Sequence, residues 1–493
     1  MGLIIKESVR STIISYLGVV IAFVSTALIM PKLLSPKEIG LIRVIIAVSG
    51  TFAGIFSLGI SQLIFKTFNE YRDKNLNGYF SLILMVSILG SLLSLPFFIY
   101  SNDKLFSFDG QISELVGSIL FTILLYVLIS ARIFHISFES LLRMTKNITF
   151  MSFIQNIVLK GTPLLFLALY FFELITFDNL LVLYILLFIL VPIVLLVYLI
   201  RREGVRFGEF PTYNNVEKRH LFSLGMFGLI NTMAATLLLY IDTLMVNEYL
   251  RELSVGIYVT MYFFGSVVGV PNRSLRLISG VFIVESMKNN DLNKVNLINK
   301  KSSQSLLVVT GLTFALVWGN INSIVGYLDP IYSSGVLVIL FIGLSQLFDV
   351  LAGMSAEILS ASKYYWLHTP ITLTTIIIAI ISNMALIPEY GINGAAVATS
   401  ISFGVLHLSR LASVAFLFKI TPFNRNLIIG LIIASLVIAL SMYLPSLGNI
   451  YIQVIYKSLL ISLLYGFFMY IFKVSPDVNN LIDKYVIDKL KKR

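Results

Sequence analysis

Apolar stretches of roughly 20 residues or longer, each enough to carry a helix across about 30 Å of hydrocarbon, fill this chain almost end to end. We read fourteen, at approximately 11–30, 39–65, 79–100, 113–138, 150–172, 178–200, 220–247, 254–282, 303–327, 333–360, 366–387, 391–418, 426–444 and 450–473. A chain that is 57% hydrophobic and 12% charged cannot hide that surface in one soluble core. Backbone polar groups in lipid must be satisfied internally, so the stretches read as helices. No alternating ten-residue pattern supports a barrel. The expected fold is all-α and membrane-integral, with about fourteen transmembrane helices.

With 493 residues and no long polar block, there is no room for a separate soluble domain. The net charge of +11 suggests nucleic acid, but its placement argues against that partner. The absence of cysteine excludes disulfides and thiolate metal sites, and four histidines give little for a histidine metal site. No Walker A, HExxH or G-x-S-x-G pattern occurs. The chain therefore reads as a non-enzyme without a cofactor. Energy would come from an H+ or Na+ gradient, the membrane potential or consumption of product. Lys6 and Arg10 precede the first apolar run as they would in a signal peptide. That run lacks an A-x-A-like cleavage site and is too long, so it reads as a retained span.

Lys and Arg divide unevenly between the two sides. With the N-terminus inside, the inner segments hold 25, counting Lys473 at the boundary, and the outer loops hold 4. This places both termini in the cytoplasm and supports an even number of spans. The tail from Asn479 to Arg493 reads as a short basic amphipathic helix on the inner leaflet.

Leu34–Leu41 (LSPKEIGL) and Leu250–Ile257 (LRELSVGI) share Leu and Gly six apart, at an offset of 216. That offset carries span starts at 79, 113, 150 and 178 to 295, 329, 366 and 394, beside independent starts at 303, 333, 366 and 391. The reading is two pseudo-symmetric six-helix lobes around a central cavity. The N-terminal lobe takes 1–219 and the C-terminal lobe 220–418. Two further helices lie in 419–473, and a basic cytoplasmic tail in 474–493.

Pro31–Ile45 (PKLLSPKEIGLIRVI), Tyr240–Val246 (YIDTLMV) followed by Val255–Tyr258 (VGIY), and Ile387–Ser402 (IPEYGINGAAVATSIS) resemble the multidrug/oligosaccharidyl-lipid/polysaccharide exporter superfamily. They are most similar to its polysaccharide-transporter branch of oligosaccharide flippases. The resemblance implies alternating-access transfer of a polyprenyl-diphosphate-linked oligosaccharide from the inner to the outer leaflet, in a prokaryotic inner membrane. Membrane lipids and polysaccharide-assembly proteins would be its neighbours.

An anionic lipid-linked cargo asks for a wet, cationic cavity, and ionisable groups within spans are costly enough to need a reason. Lys160 lies near the midplane of its span, on a polar stripe with Ser152 and Asn156 at steps of four. Arg132, Arg273, Arg276 and Arg410 lie toward the cytoplasmic ends of theirs, where they either line the entrance or anchor the helix. Arg273 and Arg276 follow Pro271. Arg43, in the first turn of span 2, either receives the diphosphate late or anchors the helix. His407 is a lining residue or an interhelical contact, and Lys457 reads as structural.

Gln346, Asp349, Gly353 and Glu357 form one face of span 10. Its carboxylates either couple ions or neutralise Arg273 and Arg276. Asp242, in YIDTLMV, reads as a state-dependent partner for a cation such as Arg43. Gly40 and Gly256 mark a close approach or a hinge, and Gly391 to Ala398 a tight helix interface. Three alternatives stay open: an ion-coupled multidrug exporter, a peptidoglycan-precursor flippase and, with less support, a polysaccharide polymerase. In-span bases outnumber acids, which favours an anionic cargo over a cationic drug.

Overall fold

The computed structural model describes residues 2–105, 119–145, 147–210, 214–445 and 448–484. Most of the outer connection from Ser101 to Ile112, and the basic end of the Asn479–Arg493 tail, lie outside the described residues. Every regular element among the described residues is helical. Among the described residues, eleven helices are long and apolar enough to cross a membrane, which makes this a multi-pass membrane protein. Two of these, Asn215–Val267 and Tyr365–Phe418, have 53 and 54 residues. At 1.5 Å per residue each runs about 80 Å, far beyond a single crossing. Both contain a break in the helical backbone, at Arg251 (φ 67°, ψ −179°) and Gly391 (φ 57°, ψ −139°).

The chain divides into two compact units, residues 1–256 and 257–493. The first unit opens with α1 (Gly2–Phe23), which passes through a π-helical turn (Val24–Ile29) into Met30–Leu33. There follow α2 (Pro36–Phe56), α3 (Ile60–Leu105) and α4 (Ile119–Met144). Helix α5 runs as Ile148–Phe153, a second π-helical turn at Ile154–Val158, and Leu159–Phe171. Helix α6 (Phe177–Arg202) and α7 (Asn215–Val267) complete the set, α7 belonging to this unit as far as Gly256.

Local sequence explains these boundaries. Ser35 begins α2 with a capping box: its Oγ accepts from Glu38 N at 3.3 Å while the Glu38 carboxylate accepts from Ser35 N at 2.7 Å. Pro36 sits at the first helical position, where its missing N–H costs nothing. Helix α3 bends at Asn75, whose Oδ1 accepts from Gly78 N at 2.8 Å and so restarts the helix. The irregular segment 203–210 lies across that bend. Arg206 N donates to Asn77 Oδ1 at 2.9 Å, and Ser81 Oγ to Gly208 O at 2.9 Å.

Helix α2 meets α7 through glycine. A Cβ on Gly40 would lie 1.8 Å from Glu252 O, and one on Gly256 would lie 1.7 Å from Pro36 O. The paired motifs of the internal repeat therefore pack backbone to backbone. Further along, Gly54 faces Thr236.

The second unit holds α8 (Val270–Lys288), α9 (Leu292–Gly319), α10 (Val336–Leu351), α11 (His368–Phe418), α12 (Arg425–Ser441) and α13 (Ile450–Ile471). The repeat register is visible in the elements. Helix starts or bends at 36, 75, 148 and 177, advanced by 216, fall at 252, 291, 364 and 393. Breaks or starts stand beside these positions at Arg251, still within the first unit, and at Leu292, Tyr365 and Gly391 in the second.

Two expectations need correction. Span 10 is not one helix: it stops at Leu351, turns through Gly353 (φ +60°), and resumes as Ser355–Ser360. Asn299 Oδ1 and Ser303 Oγ crowd the place where a Gly353 side chain would stand, and Asn299 Oδ1 accepts from Met354 N at 2.8 Å. Gly391 makes a left-handed break in α11 instead of an interface contact. The close approach belongs to Gly394, where a Cβ would lie 2.0 Å from Leu386 O.

Candidate functional site

The first unit contains a cavity of about 930 Å³, walled by α2 to α7. Arg132, His135 and Glu139 reach it from α4, spaced three and four residues apart and so on one helix face. Gln155 and Lys160 reach it from α5, and Asn231, Thr232, Thr236 and Tyr240 from α7. Phe65 and Phe188 supply apolar wall.

Arg132 lies 12 residues before the end of α4, which continues past the expected span end at 138 to Met144. Its Nη1 donates to Ile46 O at 2.7 Å, and its guanidinium lies 4.7 Å from the centre of the Phe188 ring. That geometry suits a cation–π contact. Lys160 Nζ donates to Asn156 Oδ1 at 2.7 Å. Asn156 itself is outside the cavity wall. It is held by α1, where its Nδ2 reaches Ser15 Oγ at 3.5 Å and its Cβ stacks closely over Gly18. Ser11 and Ser152 hydrogen-bond on the same face. Asn156 thus aims the lysine. The π-helical turn, closed by Leu159 N–H to Ile154 O, lies immediately before Lys160. Such turns insert an extra residue, often at functional positions.

Arg43 stands two turns into α2, because that helix starts at Pro36; it is not in the first turn. Its Nη2 donates to Thr26 Oγ1, in the α1 π-turn, at 3.2 Å. Its Nε is buried without a hydrogen-bond partner. Tyr184 and the cavity-lining Tyr240 are its electrostatic neighbours. Asp242 is half-buried, two residues beyond Tyr240 on α7.

Three groups in the wall escaped the sequence reading. Glu139 Oε1 accepts from Arg143 and from Gln155 Nε2, and His135 Nε2 lies 3.3 Å from Glu139 Oε2. The i, i+3, i+7 spacing of Arg132, His135 and Glu139 was the available signal. Ending span 4 at 138 hid it.

Gly50 is where α2 makes room for this wall. A Cβ there would lie 2.5 Å from Tyr240 Cε2 and 2.7 Å from Arg132 Nη1. Gly50→Ala is expected to push Arg132 from its perch on Ile46 O and cut the activity of the chain at least fivefold. The unfolding midpoint should move little, since the neighbours are side-chain ends. Parallel activity and thermal-unfolding measurements check this.

The second unit has an ion cluster. Arg276 Nη2 pairs with Asp349 Oδ1 at 2.7 Å, and Arg276 Nη1 with Glu357 Oε2 at 3.0 Å. His407 Nδ1 lies 3.2 Å from Asp349 Oδ1. One guanidinium therefore bridges the two carboxylates that the broken span 10 separates. Arg273 is exposed and joins no ion pair among the described residues. Arg410 is half-buried in the field of Asp349 and Glu357, with a buried Nε lacking a hydrogen-bond partner. Lys457 is packed in α13 at 1% exposure. No group of three metal-ligating side chains occurs among the described residues.

A family model described as polysaccharide biosynthesis protein matches residues 5–283. The chain belongs to this polysaccharide biosynthesis protein family. Among solved structures, this family member is similar to "Lipid II flippase MurJ, inward closed conformation", at 15% identity and TM-score 0.68, covering 95% of this chain and 98% of that one. It is similar to an inward-facing multidrug resistance MATE family transporter of the MOP superfamily, at 14% identity and TM-score 0.59, over 82% and 94%. A MOP superfamily transporter from Pyrococcus furiosus aligns at 12% identity and TM-score 0.53, over 84% and 96%. These likenesses establish a membrane-transporter fold for the family member. No functionally curated protein matches its sequence.

Proposed function

We propose that this chain is a flippase. It moves a polyprenyl-diphosphate-linked oligosaccharide from the inner to the outer leaflet by alternating access, for cell-surface polysaccharide assembly. The observation that carries this reading is the cavity of the first unit, where Arg132 and Lys160 share a wall with Gln62, Gln155 and Asn231. Guanidinium and ammonium groups recognise phosphate, and the amides suit hydroxyl-rich sugars. Among the described residues, carboxylate in that wall is limited to Glu139, which Arg143 and His135 already pair. A cationic drug would find little there. The family and fold relatives are named for transport or polysaccharide biosynthesis, which supports a non-enzyme over a polymerase.

In this reading the two long helices each cross twice, at the Arg251 and Gly391 breaks, and Arg425–Ser441 crosses once, giving fourteen crossings. Both termini face the cytoplasm of a prokaryotic inner membrane, and residues 1–219 and 220–418 are the alternating lobes. Arg43 and Asp242 pair in one state and part in another. Asp349 and Glu357 hold Arg276, and exchange of that partner for H+ or Na+ would couple transport to a gradient. Arg273 and Arg410 line the inward entrance.

The test is transfer of a labelled polyprenyl-diphosphate oligosaccharide between leaflets of proteoliposomes. Wild type is expected to transfer it, and Lys160→Ala and Arg132→Ala to lose at least tenfold in rate while eluting as folded protein. Transfer of a peptidoglycan precursor alone would favour that runner-up, which the likeness to the lipid II flippase supports. Uptake of cationic dyes with no glycolipid transfer would overturn both.

A further inference from the structure

The cavity wall changes character along its length. At one end Arg132 and Lys160 offer only donors. Seven residues further along α4, about 10 Å at 1.5 Å per residue, stands Glu139 with its two oxygens already used. Oε1 takes Arg143 and Gln155, and Oε2 faces His135.

This arrangement fixes the Gln155 amide. An ionised carboxylate can only accept, so the group turned toward Glu139 must be the Gln155 NH₂. The carbonyl Oε1 of Gln155 is then turned away, with no partner among the described residues, on a side chain that lines the cavity. The Glu139 side chain is 16% exposed and Arg143 is 51% exposed, so the arginine closes the pair from outside while the amide works inside.

We infer that the cavity is polarised, with a phosphoryl subsite at Arg132 and Lys160 and a sugar subsite at Gln155, where the amide oxygen accepts from a hydroxyl or N-acyl N–H of the first sugar. This rests on the flippase reading and adds an orientation to it. The diphosphate sits at mid-helix, and the first sugar points toward the α4 C-terminal end. Glu139 and His135 are positioning residues that hold the amide in that sense. Discrimination follows, because a cargo lacking the donor leaves Gln155 Oε1 unsatisfied.

Two probes separate the subsites: a polyprenyl diphosphate without sugar, and the same lipid carrying one N-acetylhexosamine. Their affinities are measured on the purified full-length chain in nanodiscs. Wild type is expected to prefer the sugar-bearing lipid about tenfold. Gln155→Leu should bring that ratio near one and leave the bare diphosphate affinity unchanged. Glu139→Gln, which frees the amide to turn over, should reduce the ratio at least threefold and guards against misfolding of the first variant. Arg132→Ala should weaken both probes equally. An unchanged ratio in Gln155→Leu and Glu139→Gln, or no preference in wild type, overturns the sugar subsite. Failure of wild type to bind either probe sinks the flippase reading instead.

Discussion

A Gly40→Ala variant is expected to lose at least about 3 kcal/mol of stability, the upper end of what overpacking costs. The added methyl would stand 1.8 Å from Glu252 O, which is backbone and cannot swing aside as a side-chain tip can. The next atoms on the facing segment are also backbone, Glu252 C at 2.7 Å and Gly256 N at 3.0 Å, so neither side of the contact can yield alone. Gly256→Ala should behave alike, against Pro36 O at 1.7 Å. Gly161→Ala is the control, with its nearest neighbour, Ile21 Cγ2, at 4.0 Å. Thermal unfolding in detergent, followed by size exclusion, reads the difference. A Gly40→Ala midpoint equal to that of Gly161→Ala would mean that α2 and 250–256 do not approach this closely.

Arg276→Ala should cost about 3 kcal/mol, because removing one partner of a largely buried pair leaves uncompensated charge. Arg276 is 14% exposed, and Asp349 and Glu357 are 22% and 23% exposed, so two carboxylates would be stranded. Arg273→Ala, three residues earlier and exposed, should stay within about 0.5 kcal/mol. Neutralising both acids in the Arg276→Ala background, as Asp349→Asn with Glu357→Gln, should restore most of the loss. Unfolding midpoints for the four proteins check this. Equal losses for Arg273→Ala and Arg276→Ala would mean that the cluster carries no stability.

Much of this was legible in the sequence because lipid is a strict solvent. Spans must be apolar and about 20 residues long, so α6 and α13 could be placed within a few residues. Lys160 stood out because a lysine at midspan is costly enough to need a reason, a cavity-facing role or a structural ion pair. The polar stripe was also real, but it served α1: Ser152 and Asn156 bind Ser11 and Ser15, and only Lys160 reaches the cavity. Gln155 was invisible because it lies one residue off the four-residue step. Hydropathy located Glu139 at a span edge, where carboxylates are unremarkable, and only the continuation of α4 to Met144 brings it into the wall. The broken span 10 was hidden for a similar reason, since Gly353 in an apolar run reads equally as packing or as a turn.

The π-helical turn of α5 makes the charge of the cavity a matter of residue count. In an α-helix each residue turns the chain by about 100°. The Ile154–Val158 turn holds one residue beyond what a regular helix would use, so everything after it is rotated relative to Ser152 and the α1 contact. Deleting a single residue there would leave α5 just as apolar and just as able to span, while swinging Lys160 about a quarter-turn out of the wall. Hydropathy would register nothing, so single-residue insertions and deletions in this helix are a route by which related chains could acquire or lose a buried cation with the rest of the sequence unchanged.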